Sequence, residues 1–172
     1  MVDADHVWLI DSSALINIKR VTQQDQWAML KRMEAMVISG ELTFPRQIKI
    51  EVTEVMHPDA PGVWAAGVFE STPHPKSPDY AFMSEVMSSP AQHVVDATKQ
   101  KEDGDPWLLA QALQLAAGGR DVTVVTEDRR DNPTRIAVTT ACDHLGLRWC
   151  DLADFMDMCG LKGTIKKDRE QS

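Results

Sequence analysis

Val7-Trp8-Leu9-Ile10 is a run of four apolar residues stopped by Asp11, and this feature narrows the possible folds most. Side chains alternate between the two faces of a strand, so a run that is apolar at every position must be buried on both. Such a strand belongs in the middle of a parallel sheet with helices above and below. The next residues agree. Ser12-Ser13 offers N-cap chemistry for a helix running through Leu15, Ile16 and Ile18.

The alternation recurs along the chain. Between Asp25 and Ser39, apolar residues at Met29, Leu30, Met33, Met36 and Val37 predict a helix, with Gly40 suited to the position just past its end. Leu42-Thr43-Phe44 predicts a short strand closed by Pro45, and a helix over Arg46 to Met56 follows it. Asp105-Pro106 opens another helix, with Asp105 expected as N-cap and Pro106 at the first helical position. That helix stops at Gly118-Gly119. Val122 to Thr126 is β-branched throughout and predicts a strand. Then come a helix over Ile136 to Leu145, a strand over Leu147 to Cys150, and a last helix to Met158 capped by Asp151.

Six of the nine prolines fall between residues 58 and 90. Loops and short helices are expected there, one near Asp79 to Met87, packed around Trp64, Phe69 and Phe82. Together these elements predict an α/β sandwich of three layers, a mainly parallel sheet with helices on both faces. One domain is expected over residues 1–160, followed by a polar tail over 161–172.

The 172 residues suit one domain with a real core. Eighteen Lys and Arg against 26 Asp and Glu give a net charge of −8, which argues against a basic sheath wrapped around duplex DNA. Contact with nucleic acid bridged by metal ions stays open. Three cysteines without C-x-x-C spacing argue against a disulfide framework and fit a reducing cytoplasm. No secretory core and no apolar run near the ~20 residues that span a bilayer is present. A soluble, cytoplasmic protein is expected.

Four carboxylates carry the functional reading. In open α/β sheets, sites gather at the carboxyl ends of the strands. Asp11 ends the first strand, Asp105 starts a helix on the same side, and Asp128 lies two residues past Val122–Thr126. Glu51 is placed by helical geometry at the edge of the apolar stripe Ile48, Val52, Val55 and Met56, whereas Glu54 lies outside it. A carboxylate at the edge of a buried face needs a partner. Two unit charges ~4 Å apart repel by about 4 kcal/mol at an effective dielectric of 20. A divalent cation removes that repulsion, and oxygen ligands without His or Cys suit Mg²⁺ or Mn²⁺ over Zn²⁺. An open site of this kind suits phosphodiester hydrolysis.

Asp11 in Leu-Ile-Asp-Ser-Ser-Ala-Leu-Ile, Glu51 in Pro-Arg-Gln-Ile-Lys-Ile-Glu-Val, Asp105 in Asp-Pro-Trp-Leu-Leu-Ala-Gln-Ala and Asp128 in Val-Val-Thr-Glu-Asp resemble the four acidic motifs of PIN-domain nucleases. The match is nearest a bacterial PIN-like branch related to VapC-type toxins, and it runs from Trp8 to about Cys150. The resemblance implies a five-stranded parallel sheet, Mg²⁺ or Mn²⁺ held by the four acids, and cleavage of RNA. It also implies a homodimer and inhibition by a cognate antitoxin, as in a toxin–antitoxin pair. At the fourth motif Glu127 and Asp128 compete, and the family's Thr-x-Asp/Glu spacing favours Asp128.

Other residues carry weaker expectations. Ser12 or Ser13 and Thr126 can support the site by hydrogen-bonding a carboxylate or phosphate, or can serve as caps. Arg129, Arg130 and Arg135 are candidate phosphate contacts or a solvated loop. Met29, Met33 and Met36 read as core, with an adaptable docking face for a dimer mate or antitoxin as the alternative. Trp64 is a candidate for base stacking or for packing. Cys142, His144 and Cys150 lack zinc-ligand spacing. No G-x-S-x-G is present for a serine nucleophile.

Two rival functions remain from the residues alone. One is another Mg²⁺-dependent enzyme with an acidic pocket. A dehalogenase-type phosphatase would need Asp where Ser13 stands, and a receiver domain would need an acidic pair before its first strand. The other is a non-catalytic PIN-like module for RNA binding or assembly.

Overall fold

In the computed structural model the described residues are 5–54, 59–99 and 103–161. Four strands form one all-parallel sheet: β1 (His6–Ile10), β2 (Leu42–Thr43), β3 (Asp121–Val125) and β4 (Arg148–Cys150), in the order β2-β1-β3-β4. The resemblance implies five strands, and the described residues form four. β1 is central, as its unbroken apolar run requires. Val7, Trp8, Leu9 and Ile10 point alternately to opposite faces, and all four are buried. Helices therefore cover both faces.

Those helices are α1 (Ser12–Asn17), α2 (Gln23–Ser39), α3 (Arg46–Glu54), α4 (Ala60–Val68), α5 (Tyr80–Met87), α6 (Asp105–Ala117), α7 (Val138–Leu145) and α8 (Leu152–Met158). The ends of α2 follow the expected chemistry. Gly40 closes it at φ 85°, a left-handed conformation that glycine adopts without a Cβ penalty. Met29, Met33 and Met36 are all buried, so the methionine stripe is core and not a docking face. Val55 and Met56, the end of the predicted Arg46–Met56 stripe, lie outside the described residues, as does the tail from residue 162.

The proline-rich region carries the short helices expected of it, α5 near Asp79 to Met87 and α4 before it. Asp59 caps α4 by accepting from the Gly62 N–H at 2.8 Å, and Pro61 stands in the first turn, where a missing N–H costs nothing. Trp64 on α4 is buried and donates its indole N–H to the Leu30 carbonyl at 2.8 Å. Its rings tilt against Phe44, which in turn meets Phe69. Trp64 is thus a packing residue, and the base-stacking alternative falls. α7 begins at Val138, two residues after the predicted Ile136, because residues 132–135 form a tight turn that delays it. No described helix is long and apolar enough to cross a membrane.

Candidate functional site

The carboxyl ends of β1 and β3 meet where the sequence places its acids. The Asp11 N–H donates to the Val125 carbonyl at 2.9 Å, which fixes the end of β1 beside the end of β3. Asp11 is then the N-cap of α1, with Oδ1 accepting the Ser12 N–H at 2.7 Å. Its other oxygen, Oδ2, accepts two hydroxyls, Ser13 Oγ and Thr126 Oγ1, each at 2.8 Å. Each hydroxyl has one proton, and both protons are spent here. Each hydroxyl oxygen in turn accepts a backbone N–H, from Glu127 at 3.0 Å and from Asp128 at 3.1 Å. Capping and site-building are therefore one arrangement, and it locks the turn after β3 onto the start of α1.

A cavity of about 400 Å³ opens at this edge. Asp11, Glu51, Asp105 and Asp128, the four predicted acids, all line it, and Asp103 adds a fifth. Lys99 and Arg135 face them as the lining cations, with Ser12 and Ser13 between. A larger cavity of about 650 Å³ lies along the β3–β4 edge, lined by the first residues of β1 and β3, His6 and Asp121. The predicted acids avoid it, in keeping with the preference of α/β sites for the carboxyl ends of strands.

Glu51 reaches the cavity from α3 as the stripe geometry predicts. Its carboxylate accepts the Gly104 N–H, and the Ser12 hydroxyl helps hold its charge. Gly104 is required by this approach: a Cβ there would stand 2.9 Å from the Glu51 carboxyl carbon and 3.0 Å from Ile48 Cδ1. Neither Gly104 nor Asp103 stands out in the sequence as a site residue. The run Asp103-Gly104-Asp105 was the available signal, a small residue between two acids at a helix start.

Asp105 departs from its expected local role. The N-cap of α6 is Gly104, and Asp105 is the first helical residue, its N–H donating to Asp103 Oδ1 at 3.2 Å. Asp103 takes over the side-chain acceptor role because it lies two residues back, the spacing of a local side-chain turn. The Asp105 carboxylate faces the cavity and is buried.

Asp128 and Glu127 part company. Glu127 turns toward α8, where Oε1 accepts the Leu152 N–H at 2.8 Å and Oε2 lies 3.6 Å from Arg129. Asp128 keeps the cavity, and its Oδ2 accepts Arg135 Nη2 at 2.7 Å and the Val138 N–H at 3.1 Å. Of the three predicted arginines only Arg135 lines the cavity. Arg129 pairs with Glu127 and Asp151, and Arg130 is exposed outside the lining.

Electrostatics distinguish these acids from ordinary ones. Burial raises the Asp11 carboxyl, partly opposed by its hydroxyl and N–H donors. Burial raises Glu51 against the pull of Ser12 and Gly104. Asp105 is raised well above the usual carboxylate range by burial first, then by Asp11, Asp103 and Glu51. Desolvation works against the Arg135 charge, but Asp128, Asp105 and Asp103 together hold it in the cationic form. The thiols offer no nucleophile, since burial pushes Cys150 up to about 12 and Cys159 up to about 11.

Oxygen donors and excess negative charge suit Mg²⁺ or Mn²⁺ in kind. Among the described residues no three His, Cys, Asp or Glu side chains stand gathered as a ready-made ligand set. Each acid is instead engaged by donors of its own chain, or repelled by its neighbours in the case of Asp105.

Residues 8–162 match the family described as a domain of unknown function, DUF4411. The chain belongs to the DUF4411 family. All five acids of the cavity fall inside the matched DUF4411 segment. A comparison with curated proteins finds no match.

Proposed function

We propose that this DUF4411 protein is a metal-dependent endoribonuclease of PIN type that hydrolyses RNA phosphodiester bonds in the cavity at the carboxyl ends of β1 and β3. The observation that carries this reading is the convergence of Asp11, Glu51, Asp105 and Asp128 on one cavity from four distant parts of the chain. Burying carboxylates together raises their proton affinity, and a site that keeps such groups needs a compensating cation. A bound Mg²⁺ or Mn²⁺ would supply a lowered pKa for the attacking water and charge stabilisation at phosphorus.

The residues of the chain do the rest. Ser13 and Thr126 hold Asp11 in one orientation, and Gly104 and Ser12 hold Glu51. Lys99 and Arg135 offer cationic contacts to substrate phosphate. No side-chain nucleophile is required: water attacks phosphorus and gives up a proton, the P–O3′ bond breaks, and O3′ leaves with a proton, so the ends are a 5′-phosphate and a 3′-hydroxyl. The resemblance to VapC-type proteins, rather than the cavity, carries the further reading of a toxin restrained by a cognate antitoxin and acting as a homodimer.

One observation favours a second reading. Asp11 and Asp128 are each satisfied by donors within the chain, as a non-catalytic RNA-binding or assembly module would require. Incubation with a mixed RNA pool in Mn²⁺ and in EDTA separates the two. Fragments with 5′-phosphate ends in Mn²⁺ alone support the nuclease; RNA retained intact in a bound complex supports the module.

A further inference from the structure

Arg135 is firmly built into the cavity. It ends a turn that is pinned on every side. Asn132 Oδ1 accepts the Thr134 and Arg135 N–H groups at 2.9 and 3.0 Å, and the Asn132 N–H returns to the Arg135 carbonyl at 3.0 Å. Thr134 donates its hydroxyl to Asp96 at 3.1 Å, and the Ile136 N–H donates to the His93 carbonyl at 2.9 Å. The Ala137 N–H donates to Asp131 Oδ1 at 2.7 Å. The backbone on both sides of Arg135 is therefore fixed before its side chain is placed.

The guanidinium is fixed as well. Nη1 donates to the Ile136 carbonyl at 2.9 Å, and Nη2 donates to Asp128 Oδ2 at 2.7 Å. Nη1 also lies 3.8 Å from Asp105 Oδ2, so the charge sits between two of the four acids. Only 17% of the side chain is exposed. The same Asp128 oxygen already accepts the Val138 N–H at the start of α7. An ion that took Asp128 Oδ2 as a ligand would have to displace a charge-assisted bond, and one that took the other oxygen of the same carboxylate would still stand beside the positive charge fixed there.

We infer that Arg135, anchored by Asp128, is the resident cation of this cavity: it occupies the Asp128 side, so that the site takes one divalent ion, on the side of Asp11, Glu51 and Asp105. Asp128 is then a positioning residue for Arg135 and not a metal ligand. The inference rests on the metal-dependent reading above and corrects its four-ligand form. A single-ion site leaves the guanidinium to take the part that a second ion takes in two-metal sites, next to the substrate phosphate.

The test is a calorimetric titration of the full chain with Mn²⁺, without RNA. Wild type is expected to bind one ion and Asp11→Asn none. Asp128→Asn keeps one ion. Arg135→Gln binds a second ion or tightens the first by about tenfold or more, because a fixed positive charge beside the ion is gone. Arg135→Lys, which keeps the charge, behaves as wild type. Two ions in wild type, loss of binding in Asp128→Asn equal to that in Asp11→Asn, or unchanged binding in Arg135→Gln overturns the inference while leaving the metal reading standing. No binding by wild type or Arg135→Gln overturns the metal reading and the inference with it.

Discussion

Replacing Thr126 by valine removes one hydroxyl and almost no volume, and the structure says what that hydroxyl holds. Thr126 is fully buried; its proton goes to Asp11 Oδ2 at 2.8 Å and its oxygen takes the Asp128 N–H at 3.1 Å. A hydrogen bond to a charged group contributes about 1.5–3 kcal/mol, and an amide left without its partner costs at least about 1 kcal/mol. Thr126→Val should therefore lose about 3 kcal/mol. In a domain of 150–250 residues each kcal/mol moves Tm by about 2–4 °C, so a fall of about 6–12 °C is expected. Scanning calorimetry in EDTA at pH 8 measures it, with Thr126→Ser as the control that keeps the hydroxyl. The deficit should close as pH falls and Asp11 takes up its proton, because the lost bond is worth most to the charged carboxylate. A Tm within about 2 °C of wild type at pH 8 would refute the reasoning, because the hydroxyl would then carry less than about 1 kcal/mol.

Burial and mutual repulsion raise Asp11, Glu51 and Asp105, so the fold prefers their protonated forms. Their contribution to stability is fully present below the unfolded-state values of 3.8 and 4.5 and is lost as pH rises through the folded-state values. Urea unfolding in EDTA should accordingly find Asp105→Asn more stable than wild type at pH 8, with the gap shrinking toward pH 4. Gly104→Ala drives a methyl group into the Glu51 carboxylate, so a structure of that variant should show Glu51 displaced, and Mn²⁺ binding measured by calorimetry should weaken. Trp64→Phe removes the donor to the Leu30 carbonyl and should cost about 1 kcal/mol or more by denaturant titration, with RNA binding unchanged. Asp59→Ala should cost about 1 kcal/mol in the same measurement through loss of the α4 cap.

Much of the fold was legible because its strongest signals are local. The apolar run before Asp11 and the β-branched run before Thr126 can be satisfied only by buried strands, and they are the two central ones. The carboxyl-end rule then places Asp11 and Asp128 together, and the helical stripe picks Glu51 over Glu54. What stayed hidden depends on partners distant in sequence. Asp103 enters the cavity because α6 starts one residue earlier than its acid-proline signal suggests, after a glycine cap whose reason is the approach of Glu51. Arg135 separates from Arg129 and Arg130 through a turn held by Asn132, Asp96 and His93, which no local pattern announces. Trp64 was ambiguous for a similar reason, since a tryptophan in a proline-rich segment carries no mark of the helix that buries it.

The central claim is that this acidic cavity cuts RNA with a divalent metal, and Asp11→Asn tests it most directly. Wild type and Asp11→Asn, both folded by circular dichroism, are incubated with a mixed RNA pool in Mn²⁺. The account predicts fragments with 5′-phosphate and 3′-hydroxyl ends from wild type, none from Asp11→Asn, and none from wild type in EDTA. Intact RNA after incubation with folded wild type, or equal cleavage by folded Asp11→Asn, would contradict it.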